Sequence, residues 1–196
     1  MLINFTLLPI SDVQPWGRAD APTLHWFGLT DGEYWIEVGD EKLFQYSESA
    51  RAAGAGQYCE YQVVRLYEDL IDMLPHILES VPGSLTPYVA GDTAGWDNRD
   101  RLFDGECAWS AVRGSYAMPR DHFVAEIRSF HERLMQQMSE RVQQVLAGAL
   151  SPTISIDRPG LVREHEQRCG ELEGALRRSP QTDWKRVETA IQEILS

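Results

Sequence analysis

The sequence predicts an α+β protein: an antiparallel β meander packed against about four helices, with the C-terminal half mostly helical. Three observations carry this. Residues 24–46 hold three runs rich in aromatic and β-branched residues, separated by Asp31-Gly32 and Gly39-Asp40, which favour tight hairpin turns. Residues 119–196 instead repeat apolar side chains at spacings of three and four. Strands precede helices and do not alternate with them, which separates the pattern from a parallel α/β sheet.

Residues 2–8 read as the first strand, and 9–23, with Pro9, Pro15 and Pro22, as an irregular connection. The runs 24–29, 33–38 and 42–46 form the meander. Residues 47–57 are small and polar and read as a loop. From Tyr58 to Ser80 the period turns helical, with Val64, Tyr67, Leu70 or Ile71, Leu74 and Leu78 on one face. Pro75 inside this run removes a backbone donor and is expected to kink or divide the helix. Residues 81–95 are a loop, and 102–118 read as two short strands about Arg113-Gly114. Pro119 opens a long helix with the stripe Phe123, Ile127, Phe130, Leu134, Met138, Val142 and Val145, which Gly148 ends. A helix from Asp157 and Pro159 carries Leu161, His165, Cys169, Leu172 and Leu176 on one face. The last follows Thr182 as its N-cap, with Trp184, Val187, Ile191 and Ile194 or Leu195 as its stripe. The expected organisation is one domain over 1–196: 1–118 mainly β with one helix at 58–80, and 119–196 three helices.

The charge is unevenly placed. Residues 1–106 have 6 Lys/Arg against 18 Asp/Glu, and 107–196 have 12 against 12, so the net −12 belongs to the N-terminal half. An acidic half repels a phosphate backbone and excludes nucleic acid as the expected partner. It attracts a basic protein, although plain solubility explains the same charge. Cys59, Cys107 and Cys169 are distant from one another and odd in number, which fits reduced thiols and a cytoplasmic location. The N-terminal run lacks a basic stretch before it and reads as a strand, not a signal peptide. No apolar stretch approaches the roughly 20 residues that cross a bilayer.

No motif assigns chemistry. There is no P-loop, no glycine-rich dinucleotide loop after a strand and no nucleophile elbow. His165-Glu166 opens like a zinc-protease helix, but Cys169 stands where the second histidine belongs, and no metal or cofactor is expected. Asp40-Glu41-Lys42 matches the end of a nuclease core, yet it falls in a hairpin turn where charged residues are ordinary. The segment W-D-N-R-D-R-L-F-D-G sets Asp97, Arg99, Asp100, Arg101 and Asp104 beside Trp96. Tryptophan with arginine suits a binding hot spot, and the same residues suit ion pairs that bridge loops to the sheet. Trp26, Trp35 and Trp109 face a similar choice. Aromatics occur at both parities of the meander, so the sheet face away from the helices either shows them to a partner or is covered, for instance by the 58–80 helix. His131 adjoins the apolar stripe of the long helix, where a packed, hydrogen-bonded histidine is the ordinary outcome.

The segments W-F-G-L-T-D-G-E-Y-W-I at 26–36, Y-Q-V-V-R-L-Y-E-D-L at 61–70, W-D-N-R-D-R-L at 96–102, R-S-F-H-E-R-L-M at 128–135 and R-E-H-E-Q-R at 163–168 together resemble an uncharacterised bacterial family of unknown function. The resemblance spans most of the chain. It implies a bacterial source and carries over no catalytic residue. Beside that family pattern 86–95 is short, which implies a missing loop or strand.

The expectation is therefore a binding module, not an enzyme, that docks a basic partner through its acidic half. It is similar in kind to toxin-immunity proteins, by class and not by matching residues. Its contact residues are expected among Trp26, Trp35, Trp96, Asp97, Arg99, Asp100, Asp104, Trp109 and His131. The alternatives are a small-molecule or enzymatic pocket near Trp96–Asp104, and a homodimer joined through a self-complementary apolar patch.

Overall fold

The computed structural model describes residues 1–18, 20–85, 118–179 and 182–196. In chain order the strands and helices are β1 (Leu2–Leu7), β2 (Trp16–Arg18), β3 (Ala21–Thr23), β4 (Asp31–Val38), β5 (Glu41–Leu43), α1 (Glu48–Ala52), β6 (Cys59–Gln62), α2 (Val63–Leu78), α3 (Arg120–Leu146), α4 (Arg158–Arg177) and α5 (Trp184–Leu195). The architecture is α+β.

Strand β4 is the centre of the main sheet. On one side β1 runs antiparallel to it along its whole length, from Leu2 opposite Glu37 to Leu7 opposite Gly32. On the other side two short strands share it: β6 pairs with Asp31–Tyr34 and β5 with Ile36–Val38. Gly32 makes this crowded end possible. A Cβ there would collide with the Thr6 carbonyl oxygen and come within 2.9 Å of the Leu7 Cα. Strands β2 and β3 form a separate hairpin.

Alternation then assigns the two faces. Ile3, Phe5 and Leu7 of β1 and Tyr34 and Ile36 of β4 are buried on the inner face. Against them lie Val64, Tyr67, Ile71 and Leu74 of α2 and the predicted stripe of α3, of which Ile127, Phe130, Leu134, Met138, Val142 and Val145 are all buried. Phe130 sits at the junction, edge-on to Phe5 at 5.5 Å and to Tyr67 at 6.1 Å. Burying a side chain of this size stabilises the fold by about 1.5–3 kcal/mol, so this junction anchors sheet to helices. Helix α4 packs on both α2 and α3.

Several expectations are corrected. Residues 24–29 are not a strand. The chain winds into a 3₁₀ turn at Gly28–Thr30, with Leu29 N–H donating to His25 and Trp26 carbonyls and Thr30 Oγ1 donating to Phe27 at 2.7 Å. Asp31-Gly32 begins β4 and is no hairpin turn, whereas Gly39, at φ 60°, does turn β4 into β5. Within 9–23 the β2–β3 hairpin forms, and within 47–57 the short α1 forms, capped by Ser47. Residues 59–62 join the sheet before α2 starts, because the edge of β4 beside Asp31–Tyr34 needs a partner. Pro75 lies in the last turn of α2 and does not divide it. Thr182 does not cap α5. Asp183 does, and the Thr182 hydroxyl donates to Glu79 at 2.5 Å. The strands expected at 102–118 fall outside the described residues.

Candidate functional site

The outer face of the sheet carries the candidate site. Thr6 and Leu8 from β1 and the residue after it, Asp31 and Glu33 from β4, and Glu60 and Gln62 from β6 share the outward parity set by the register. With Pro9 and Tyr61 they line a groove of about 490 Å³ at the crowded end of the sheet. Asp31, Glu33 and Glu60 are among its walls, and among the described residues no lysine, arginine or histidine lines it. Leu8 and Tyr61 are 40% and 49% exposed, so the apolar walls are open to a visitor.

The carboxylates are held differently. Asp31 Oδ1 accepts from Gln62 Nε2 at 2.7 Å. Glu33 and Glu60 converge on Gly56, in the loop after α1. A Cβ at Gly56 would lie 2.7 Å from Glu33 Oε1 and collide with Glu60 Oε1. With no side chain at Gly56, both carboxylates can sit against this loop in the positions they hold here. Burial, and then the charge of Glu60, push the Glu33 carboxyl above its ordinary range. The pair is a local excess of negative charge that a visiting cation would relieve.

Further along the same face the aromatic surface is already occupied. Trp35 stacks on Tyr58 at 4.2 Å and 15° and donates Nε1–H to Glu37 at 3.0 Å. Lys42 Nζ donates to the Tyr58 hydroxyl at 3.0 Å and lies 3.6 Å from Glu37. The segment ending in Tyr58, and not the α2 helix, thus covers this part of the outer face.

Two other expected contact residues lie on the helical side. Trp26 is a core residue with no exposed surface, so it offers nothing to a partner. The Arg168 guanidinium covers its ring at 4.9 Å, and its Nε1–H donates to His165 Nδ1 at 3.4 Å. His131 is half-buried, shares a 2.9 Å hydrogen bond with the Tyr67 hydroxyl, and is held below its usual range by burial, opposed by a hydrogen bond to the Cys169 backbone. It is a packed, satisfied histidine. Trp96, Asp97, Arg99, Asp100, Asp104 and Trp109, and with them the alternative pocket, lie outside the described residues.

His165 and Cys169 do meet, with Nε2 3.8 Å from Sγ. Their chemistry does not favour a nucleophile. A neutral imidazole that accepts at Nδ1 carries its proton on Nε2, so it presents N–H to the sulfur and no lone pair. Burial and the nearby Glu166 raise the Cys169 thiol above its ordinary value. Among the described residues no group of three His, Cys, Asp or Glu side chains is placed to hold a metal ion, and no helix is long and apolar enough to cross a membrane.

The groove is hidden in the sequence because Cys59–Gln62 continues the helical period that follows it and does not announce a strand. The signal was present in β4, where Glu33, Trp35 and Glu37 alternate with Tyr34 and Ile36.

The chain matches the model of a family of unknown function (DUF5984) over residues 2–95 and 92–190. No curated protein and no solved structure matches it.

Proposed function

The chain belongs to that family of unknown function, and from this premise we propose that it is a protein-binding module that docks a basic partner through its acidic N-terminal half. The observation that carries the reading is the outer-sheet groove, with three carboxylates and, among the described residues, no basic group in its walls. Lysine and arginine are the side chains it suits. Their aliphatic stems match Leu8 and Pro9, and their cationic heads match Glu33, Glu60 and the exposed Tyr61 ring. The −12 carried by residues 1–106 would steer such a partner toward the groove and raise its association rate.

The test is capture from a lysate of the source cell at low salt, with wild type and Glu33→Gln/Glu60→Gln as parallel baits. A basic protein retained by wild type, released by salt and absent from the double variant supports the reading. Identical retained proteins on both baits refute it.

A further inference from the structure

Among the described residues no strand pairs with the outer edge of β1, and this edge is guarded. Leu8 N–H donates to Asp31 O of the β4 side, so by antiparallel alternation residues 2, 4, 6 and 8 bond inward to β4. Residues 3, 5 and 7 present their N–H and C=O groups outward. Two α3 side chains cover the first of these. Ile3 N–H donates to Glu126 Oε1 at 2.7 Å, and Arg133 Nη2 donates to the Ile3 carbonyl at 2.5 Å. Glu126 and Arg133 are 3.6 Å apart, and the Arg133 guanidinium lies 5.6 Å from the Phe5 ring centre. A carboxylate and a guanidinium thus stand where a neighbouring strand would place a carbonyl and an N–H. Among the described residues nothing bonds to Phe5 or Leu7 on this edge.

We propose that the Glu126–Arg133 pair is a clamp that keeps β1 from pairing with the β1 strand of a second copy of this chain. The strand itself selects that occupant. An antiparallel pair centred on Phe5 sets residue 5 opposite 5, 3 opposite 7, 4 opposite 6 and 2 opposite 8. Residues 3, 5 and 7 carry all the outward groups, so this register uses every one of them. On the outer face it sets Asn4 beside Thr6, and Leu2 beside Leu8, which are 53% and 40% exposed. No charge in L-I-N-F-T-L-L opposes the pairing. An uncharged edge of high β propensity is the kind that self-associates unless charged side chains obstruct it.

The experiment compares the full chain with Glu126→Ala/Arg133→Ala by light scattering over a range of concentrations, with circular dichroism to confirm the fold. Wild type should stay at 22.3 kDa and the variant should double its mass with rising concentration. Exchange of the Phe5 and Leu7 amides should slow about tenfold in the dimer. Register is tested on the opened variant. Adding Leu2→Lys/Leu8→Glu places opposite charges across the pair and should keep the dimer, while Leu2→Lys/Leu8→Lys should abolish it. If the double variant does not fold, Arg133→Gln alone carries the same expectation, since that side chain is 41% exposed. The proposal is overturned by an opened variant that stays monomeric, by a wild type equally dimeric, or by charge pairs that behave alike.

Discussion

Replacing Arg168 with methionine keeps most of the aliphatic stem and removes the charge and five donors. The guanidinium is 12% exposed and reaches Glu68 at 2.7 Å, Glu164 at 3.3 Å and Glu171 at 3.5 Å. It joins α2 to α4 and covers Trp26. Breaking a buried ion pair from one side costs about 3–5 kcal/mol, because charge is left behind without its counter-charge. The three carboxylates here are 25%, 36% and 26% exposed, so water recovers part of that, and a loss of about 2–3 kcal/mol is expected. The pH dependence gives a second readout. Burial raises the Glu171 carboxyl above 4.5 and Arg168 pulls it back down, so in the variant it rises further. A carboxyl with a raised folded value holds its proton more tightly in the folded state. Its contribution is full below the unfolded value and is lost as pH rises through the folded one. The deficit of Arg168→Met should therefore be smaller near about pH 5 than near pH 7. Urea unfolding at both pH values, followed by tryptophan fluorescence, measures it. A loss below about 1 kcal/mol at neutral pH, or a deficit that grows on acidification, refutes the reasoning.

Three further outcomes follow from the packing. Gly32→Ala forces a Cβ into the backbone of Thr6 and Leu7, which cannot rotate away. A loss of more than about 3 kcal/mol or failure to fold is expected in the same urea assay. Phe130→Ala opens a cavity between Phe5 and Tyr67 and should cost about 3–5 kcal/mol, read from the unfolding midpoint. Glu33 is raised by burial and by Glu60, so wild type loses stability as pH rises from 4.5 through its folded value. Glu33→Gln should remove that segment of the stability–pH curve, and an unchanged curve would count against the carboxylate pair.

The sequence alone determined the three C-terminal helices, because their evidence is local. The α3 stripe, its end at Gly148 and the start of α4 near Asp157 and Pro159 each rest on residues within a few turns of one another. The alternation of β4 and its turn at Gly39 were legible for the same reason. Tertiary structure decided what depends on distant partners. Aromatic residues at 24–29 have strand propensity, yet Trp26 belongs in a core closed by Arg168, 142 positions later, so the chain turns there instead. Cys59–Gln62 continues a helical period, but the open side of β4 draws it into the sheet. Arg141 lies among apolar residues of α3 and looks misplaced until its guanidinium is seen bonded to the Leu29 carbonyl at 2.8 Å and to that of Leu8. The acidic groove and the guarded edge of β1 are likewise products of pairing. Each depends on strand and helix residues that no local pattern brings together, since hydrogen-bond register and burial are fixed only when the whole chain closes.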